Sequence, residues 1–181
     1  MSSNGLNRHL VCTYDEARSL IGSRDSYFVS NCGCRERKGR CLRSRMDVCL
    51  TFAREISVSG SNKKEIDKAG AHALLAKAVA ARLVARPFRK DEHTDEIGGI
   101  CFCCDDCCGV FLSANEHCDR GKMIETTAAG ECTHCGACVE YCYFSCRGML
   151  EGRLGVDREK CYGCGICVEI CPVGCIGMIE R

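Results

Sequence analysis

The stretch ECTHCGACVEYCYFSCRGMLE, residues 131–151, recurs at an offset of 29 positions as KCYGCGICVEICPVGCIGMIE, residues 160–180. Its skeleton is the spacing CxxCxxCxxxC, carried first by Cys132, Cys135, Cys138 and Cys142 and then by Cys161, Cys164, Cys167 and Cys171, with Pro172 after the last. The match outruns the cysteines, so each half reads as one structural unit stacked on its twin. Short CxxCxx loops let three sulfurs from one turn reach three corners of a cube, and soft thiolates bind iron and sulfide well. A lone CxxC would leave zinc and thiol-redox readings open, whereas eight cysteines in two such phrases point to a pair of 4Fe-4S sites.

On these phrases, residues from about 122 to 181 resemble a bacterial-type two-cluster ferredoxin, a likeness covering roughly a third of the chain. In that family the fourth cysteine of each phrase ligates the other cluster. The resemblance therefore implies one cluster on Cys132, Cys135, Cys138 and Cys171 and another on Cys161, Cys164, Cys167 and Cys142, in a pseudo-two-fold unit of short hairpins and helices. Gly136, Gly163 and Gly165 suit loops that wrap a cluster closely, because glycine tolerates positive φ and leaves backbone N–H groups free to face sulfur. Glu151 to Arg153, flanked by Met149, Leu150, Leu154 and Val156, reads as the turn of a hairpin joining the halves. A unit this small should depend on its metal, so that removing iron unfolds it.

The halves differ at one point that bears on chain path. Tyr143-Phe144 follows Cys142 where Pro172-Val173 follows Cys171, so the first half lacks the φ-restricting residue. Cys146 and Cys175 add a fifth cysteine to each phrase, and each reads as a small buried apolar residue.

The chain has 181 residues, 21 of them cysteine, with two prolines and no tryptophan. MSSNGLNRHLVC at the N-terminus lacks the basic region, apolar run and cleavage site of a secretion signal, and no apolar stretch approaches the roughly 18 residues that span a bilayer. The expectation is a cytoplasmic, reduced, metal-bound protein, suited to an anaerobic host because crowded thiolates and clusters oxidise readily. A net charge of +1 argues against chain-wide affinity for nucleic acid or membrane. Arg35, Arg37, Lys38, Arg40, Arg43 and Arg45 nevertheless crowd around Cys41. They read either as a docking patch for an acidic redox partner or, interleaved with cysteines as they are, as compensation for thiolate charge.

The first 120 residues carry a second set of signals. Thr13 and Glu16 form a capping-box pattern ahead of a short helix ending near Gly22, and SYFVSN (26–31) reads as a strand. Asn62 and Glu65 suggest another capping box opening one long Ala-rich helix over 63–86, stopped at Arg86 by Pro87. On either side of that helix lie Cys32, Cys34, Cys41 and Cys49, then Cys101, Cys103, Cys104, Cys107 and Cys108 in ICFCCDDCCG. These nine match no common zinc-finger or disulfide spacing, although Cys104 and Cys107 make one CxxC. A CxCR phrase with a later crowded cysteine phrase ahead of a two-cluster ferredoxin resembles the N-terminal module of some anaerobic prokaryotic iron-sulfur proteins, which implies extra clusters. Nine thiols close together in a reducing cytosol would also be reactive unless metal-bound. The expectation is at least one further iron-sulfur cluster here, with zinc as the alternative, the helix returning the chain so that the two cysteine groups face each other. Cys12 and Cys118 read as ordinary packing or surface thiols, and His93, His117 and His134 as solvated or ligand-orienting side chains.

Together these readings give an α+β chain with two units: a mixed, cysteine-rich metal-binding module over 1–120 with one long helix, and a two-cluster ferredoxin-like unit over 121–181. The leading function is an electron carrier that relays single low-potential electrons to or from a partner oxidoreductase. An iron-sulfur enzyme with an open-site cluster acting on a small molecule is the alternative, since nine ligands do not divide evenly into fours. A zinc-bearing regulatory module fused to a ferredoxin is a third reading. No phosphate-binding glycine loop, GxSxG elbow or HExxH phrase is present.

Overall fold

Thr13 and Glu16 close the capping box that their spacing predicts: Thr13 Oγ1 accepts from Glu16 N at 3.2 Å and Glu16 Oε2 accepts from Thr13 N at 2.8 Å. The helix they open, α1 (Tyr14–Gly22), buries Tyr14, Ala17 and Ile21. SYFVSN supplies strand β1 (Tyr27–Ser30), buried along its whole length. The computed structural model describes residues 7–57, 60–90, 94–113 and 115–181, so His93 lies outside the described residues.

A short helix α2 (Gly33–Lys38) leads to strands β2 (Cys49–Thr51) and β3 (Lys64–Ile66), and helix α3 (Lys68–Ala80) leads to β4 (Val84–Arg89) and β5 (Ile97–Cys103). The five strands form one antiparallel sheet in the order β3-β1-β2-β5-β4. The long helix expected over 63–86 is thus corrected to thirteen residues between two strands. Asn62 takes a positive φ of 54°, and Lys64–Ile66 pairs with β1 as an edge strand, so the cap falls instead to Asp67, which accepts from Gly70 N at 2.7 Å. At the other end Arg82 turns left-handed at φ 55°, and Pro87 sits inside β4. That position is tolerable because β4 is the other edge of the sheet, where a missing N–H breaks no ladder bond. Ala71, Leu74, Leu75 and Ala78 form the buried stripe of α3. Each leucine contributes roughly 1.5–3 kcal/mol by leaving water.

The C-terminal part contains β6 (Met123–Thr127), α5 (Ala137–Glu140), β7 (Arg147–Leu150), β8 (Arg153–Val156), α6 (Ile166–Ile170) and β9 (Ile176–Glu180). The strand that opens the first half pairs with the strand that closes the second, β6 with β9, while β7 and β8 pair as the predicted hairpin. Glu151 and Gly152 make its turn with φ of 50° and 75°, the left-handed pair of a tight hairpin turn.

The apolar core runs on past position 120: Ile166 is buried in the same cluster as Val11, Tyr14, Leu75 and Phe102, with Tyr143, Phe144, Tyr162 and Cys164 packed against it. Helix α4 (Gly109–Leu112), immediately after Cys108, presents Phe111 to Tyr143 and Phe144 at ring distances of 5.6 and 5.2 Å. Phe144 in turn stacks on Tyr162 at 4.2 Å. The departure from Pro-Val to Tyr143-Phe144 is thereby explained, since these two rings carry the contact between the cysteine-rich part and the second half of the repeat. Among the described residues no helix is long and apolar enough to cross a membrane.

Candidate metal centres

The eight repeat cysteines gather around two cavities. Cys132, Cys135, Cys138, Cys171 and Cys175 line one, together with His134, Gly136 and Leu154. Cys142, Cys146, Cys161, Cys164 and Cys167 line the other, with Glu125, Arg147, Gly163 and Gly165. Each cavity therefore takes three cysteines from the loop of one phrase and the fourth from the other phrase. Gly136, Gly163 and Gly165 all have positive φ, at 76°, 81° and 75°, which is what lets these loops curl around a cavity. Gly163 is the most constrained, because a Cβ there would lie 2.1 Å from Met123 O in β6. Gly163→Ala should cost well over about 1 kcal/mol and lower cluster occupancy in the Cys161 loop, read as a fall in anaerobic thermal midpoint and in iron per chain.

The fifth cysteines are buried, as expected, but they also touch ligand candidates. The Cys146 thiol lies within hydrogen-bond reach of both Cys142 and Cys161, and its one S–H, donated to either, favours the thiolate there and lowers that thiol. Cys175 lies 3.5 Å from Cys171 and also contacts Cys132. Both fifth cysteines thus bridge the fourth cysteine of their own phrase and the first of the other. His134 accepts from Leu154 N at 3.0 Å through Nδ1, which ties the first loop to the hairpin.

Sequence reasoning missed a buried ion pair at the centre of this region. Arg147 and Glu125 are each about 1 % exposed at the side chain and are hydrogen-bonded to each other; Glu125 also accepts from Arg158 Nε at 2.9 Å. Arg147 Nη1 lies 3.6 Å from Cys138 Sγ, and the same side chain lines the second cavity, so one guanidinium serves both cysteine groups. A signal was available: at the equivalent place in the second phrase stands Ile176, a position where arginine breaks an otherwise close repeat.

The nine N-terminal cysteines come together through sheet pairing. Cys49 in β2 sits directly across from Cys101 in β5, which carries the Cys101–Cys108 phrase to the Cys32–Cys41 phrase. The returning helix assumed from the sequence does not do this; α3 packs against α1 and β1 instead. Eight of the nine, all but Cys41, line one cavity of about 520 Å³ together with Arg8, His9, Arg35, Arg37 and Arg86. The thiols fall into groups. Cys34 touches Cys32 and Cys108, and Cys108 also touches Cys103; donation chiefly from Cys108, then Cys32, pulls the Cys34 thiol well below its ordinary value. Cys49 and Cys101 form a pair, with His9 Nε2 3.8 Å from Cys101 Sγ. Cys41, Cys104 and Cys107 form a third group. Burial, then Arg86 and Arg8, pushes the His9 imidazole down to about 4, so it is neutral at ordinary pH. Cys12 and Cys118 are buried in the core and His117 is exposed.

Three arginines point at these sulfurs. Arg86 Nη1 lies 3.1 Å from Cys108 Sγ and 3.5 Å from Cys103 Sγ, Arg37 Nη2 3.4 Å from Cys34 Sγ, and Arg35 Nη2 3.7 Å from Cys104 Sγ. Of the rest of the basic run, Arg43 pairs with Asp105, Lys38 with Asp106 and Arg45 with Asp47. Within the run, Arg35 and Arg37 fit the reading as compensation for thiolate charge, Lys38, Arg43 and Arg45 are paired with carboxylates instead, and Arg40 is exposed. Arg86 and His9 lay outside every motif and were missed, since only the fold sets β4 against β5 and pairs His9 with Phe88 of β4, within reach of Cys101.

No curated protein matches the chain. The family model described as the 4Fe-4S binding domain matches residues 154–177, which include Cys161, Cys164, Cys167 and Cys171. That segment is a 4Fe-4S binding domain, and it indicates at least one such cluster and a capacity for iron-sulfur electron transfer.

Proposed function

We propose that the chain is an iron-sulfur electron-transfer protein that relays single low-potential electrons to or from a partner oxidoreductase. Its two units would divide near residue 120. The C-terminal one holds two 4Fe-4S clusters in a pseudo-two-fold arrangement, on Cys132, Cys135, Cys138 and Cys171 and on Cys161, Cys164, Cys167 and Cys142. The observation that carries this reading is the matched placement of Cys146 and Cys175, each of which joins the fourth cysteine of one phrase to the first of the other. The β6–β9 pairing, which closes the two halves on each other, supports it as well.

A further iron-sulfur cluster belongs in the large cavity, with Cys32, Cys34, Cys103 and Cys108 as its ligands and Cys49 and Cys101 beside it. Arg37 and Arg86 support this placement, because guanidinium groups directed at sulfur, that of Arg86 buried, match the negative charge of a thiolate-ligated cluster. Phe111, one turn beyond Cys108, meets Tyr143 and Phe144, which follow Cys142, so the two units touch along the line an electron would travel.

Iron and acid-labile sulfide on protein purified without oxygen test this reading. About twelve irons per chain and overlapping 4Fe-4S resonances on reduction are expected; about eight sinks the N-terminal cluster, and about four sinks the paired arrangement. The alternative of an open-site enzyme draws on the cavity's volume of about 520 Å³, within the range that admits a small substrate. It predicts that a small ligand such as cyanide shifts the N-terminal resonances and leaves the others unchanged.

A further inference from the structure

Cys41, Cys104 and Cys107 differ from every other cysteine group in shape. Their sulfurs are separated by 3.6 Å (Cys41–Cys104), 3.4 Å (Cys104–Cys107) and 3.8 Å (Cys107–Cys41). Among the described residues they form the one set of three or more metal-binding side chains whose donor atoms all lie within 4.8 Å of one another. The repeat cysteines do not meet that condition. The distinction has a chemical meaning. Thiolates bound tetrahedrally to one ion at about 2.3 Å lie about 3.8 Å apart, whereas a cubane places each thiolate on a different iron and spreads its cysteines around the cluster. The three sulfurs already make almost the triangular face of a single-ion site.

Arg35 supplies an independent observation. It is fully buried, donates to Phe102 O at 3.1 Å and lies 3.7 Å from Cys104 Sγ, and its Nε and Nη1 have no hydrogen-bond partner. A buried guanidinium needs a counter-charge, and three neutral thiols provide none. A divalent ion held by three thiolates leaves one net negative charge, which Arg35 offsets.

We propose that Cys41, Cys104 and Cys107 bind one mononuclear, soft divalent ion of the zinc class, separate from any iron-sulfur cluster and with a fourth position that no cysteine fills. Three protein ligands with one position left over is the ligand count of zinc sites that bind water or substrate, whereas structural sites close with four. Cys104 and Cys107 also line the large cavity, so a small anion or thiol entering it meets the ion at its wall. The site also accounts for the ninth cysteine, because four thiols remain for a cluster and two, Cys49 and Cys101, stand as a cross-strand pair.

The test uses the full chain, purified without oxygen from zinc-supplemented cells, with zinc, iron and sulfide measured together. One zinc per chain is expected, lost in Cys41→Ser, a half-exposed position, and retained in Cys118→Ser, a buried thiol outside the group. Iron, sulfide and the reduced 4Fe-4S resonances should be unchanged in both variants, so the zinc site and the relay reading can fail separately. Loading the chain with Co²⁺ should give a thiolate-to-cobalt absorption that is lost in Cys41→Ser and kept in Cys118→Ser. Absence of zinc from the wild type, zinc retained in Cys41→Ser, or loss of iron and sulfide together in that variant would overturn the proposal.

Discussion

Cys171→Ser should, on the proposed ligand assignment, remove the cluster shared with Cys132, Cys135 and Cys138 and spare the one on Cys161, Cys164 and Cys167, although Cys171 belongs to the second phrase. The cavity lining places its sulfur with the first group, and ligand exchange between phrases is the rule in two-cluster ferredoxins. Iron in the single variant should fall by about four per chain. The decisive comparison is between double variants. Cys132→Ser combined with Cys171→Ser should lose no more iron than either alone, because both strike one cluster, whereas Cys161→Ser combined with Cys171→Ser should lose about eight. The reverse pattern would mean that each phrase keeps its own fourth ligand. Because so small a unit relies on metal for much of its stability, the double loss should also abolish cooperative unfolding of the C-terminal part, followed by anaerobic circular dichroism.

Glu125→Gln keeps the shape of a side chain that is about 1 % exposed but removes its charge, leaving Arg147 buried beside the cluster sites without its partner. Breaking one side of a buried pair costs on the order of 3–5 kcal/mol, and the anionic clusters proposed above would compensate the arginine in part, so the lower end of that range is expected. Arg158, half of whose side chain is exposed, loses little, since pairs near water contribute little. The double variant Glu125→Gln with Arg147→Met should recover much of the loss, because it removes the orphaned charge along with its partner. Arg147→Met has a second expected effect. Arg147 lies 3.6 Å from Cys138 Sγ, and withdrawing a cation from a cluster disfavours its reduced, more negative form. The reduction potential of the first cluster should move to more negative values in anaerobic titration. An unchanged denaturation midpoint in Glu125→Gln would mean that the pair is not the electrostatic centre of the unit.

Local signals in the chain were legible where the determining contacts are close in sequence. The Thr13–Glu16 box, the strand at 27–30, the glycines with positive φ and the hairpin turn at Glu151–Gly152 all depend on residues within a few positions of one another. The 63–86 segment was misread because helix propensity in an Ala-rich run was overridden at both ends by pairing with distant strands: Lys64–Ile66 joins β1, and Val84–Arg89 joins β5. An edge strand can hold Pro87, so the proline marked no helix end. Cys146 and Cys175 were read correctly as buried, but their contact with candidate ligands depends on how the two halves close on each other.

By itself the sequence pointed to the chemistry: a twice-written CxxCxxCxxxC phrase, whose second copy lies in the matched 4Fe-4S binding domain, and a second reservoir of nine cysteines that needs a further account. The spacing sets which sulfurs a single loop can offer, because a turn of six residues leaves few ways to face a cube. Only the tertiary structure decided how the nine are shared out. Cys41 is more than sixty positions from Cys104 and Cys107, and Arg35 and Arg86 reach sulfur from distant elements, so their meeting rests on the β2–β5 and β4–β5 registers. Contacts of that range carry no periodicity and no spacing to read. A buried guanidinium needs a polar partner, and the sheet is what holds sulfur within its reach.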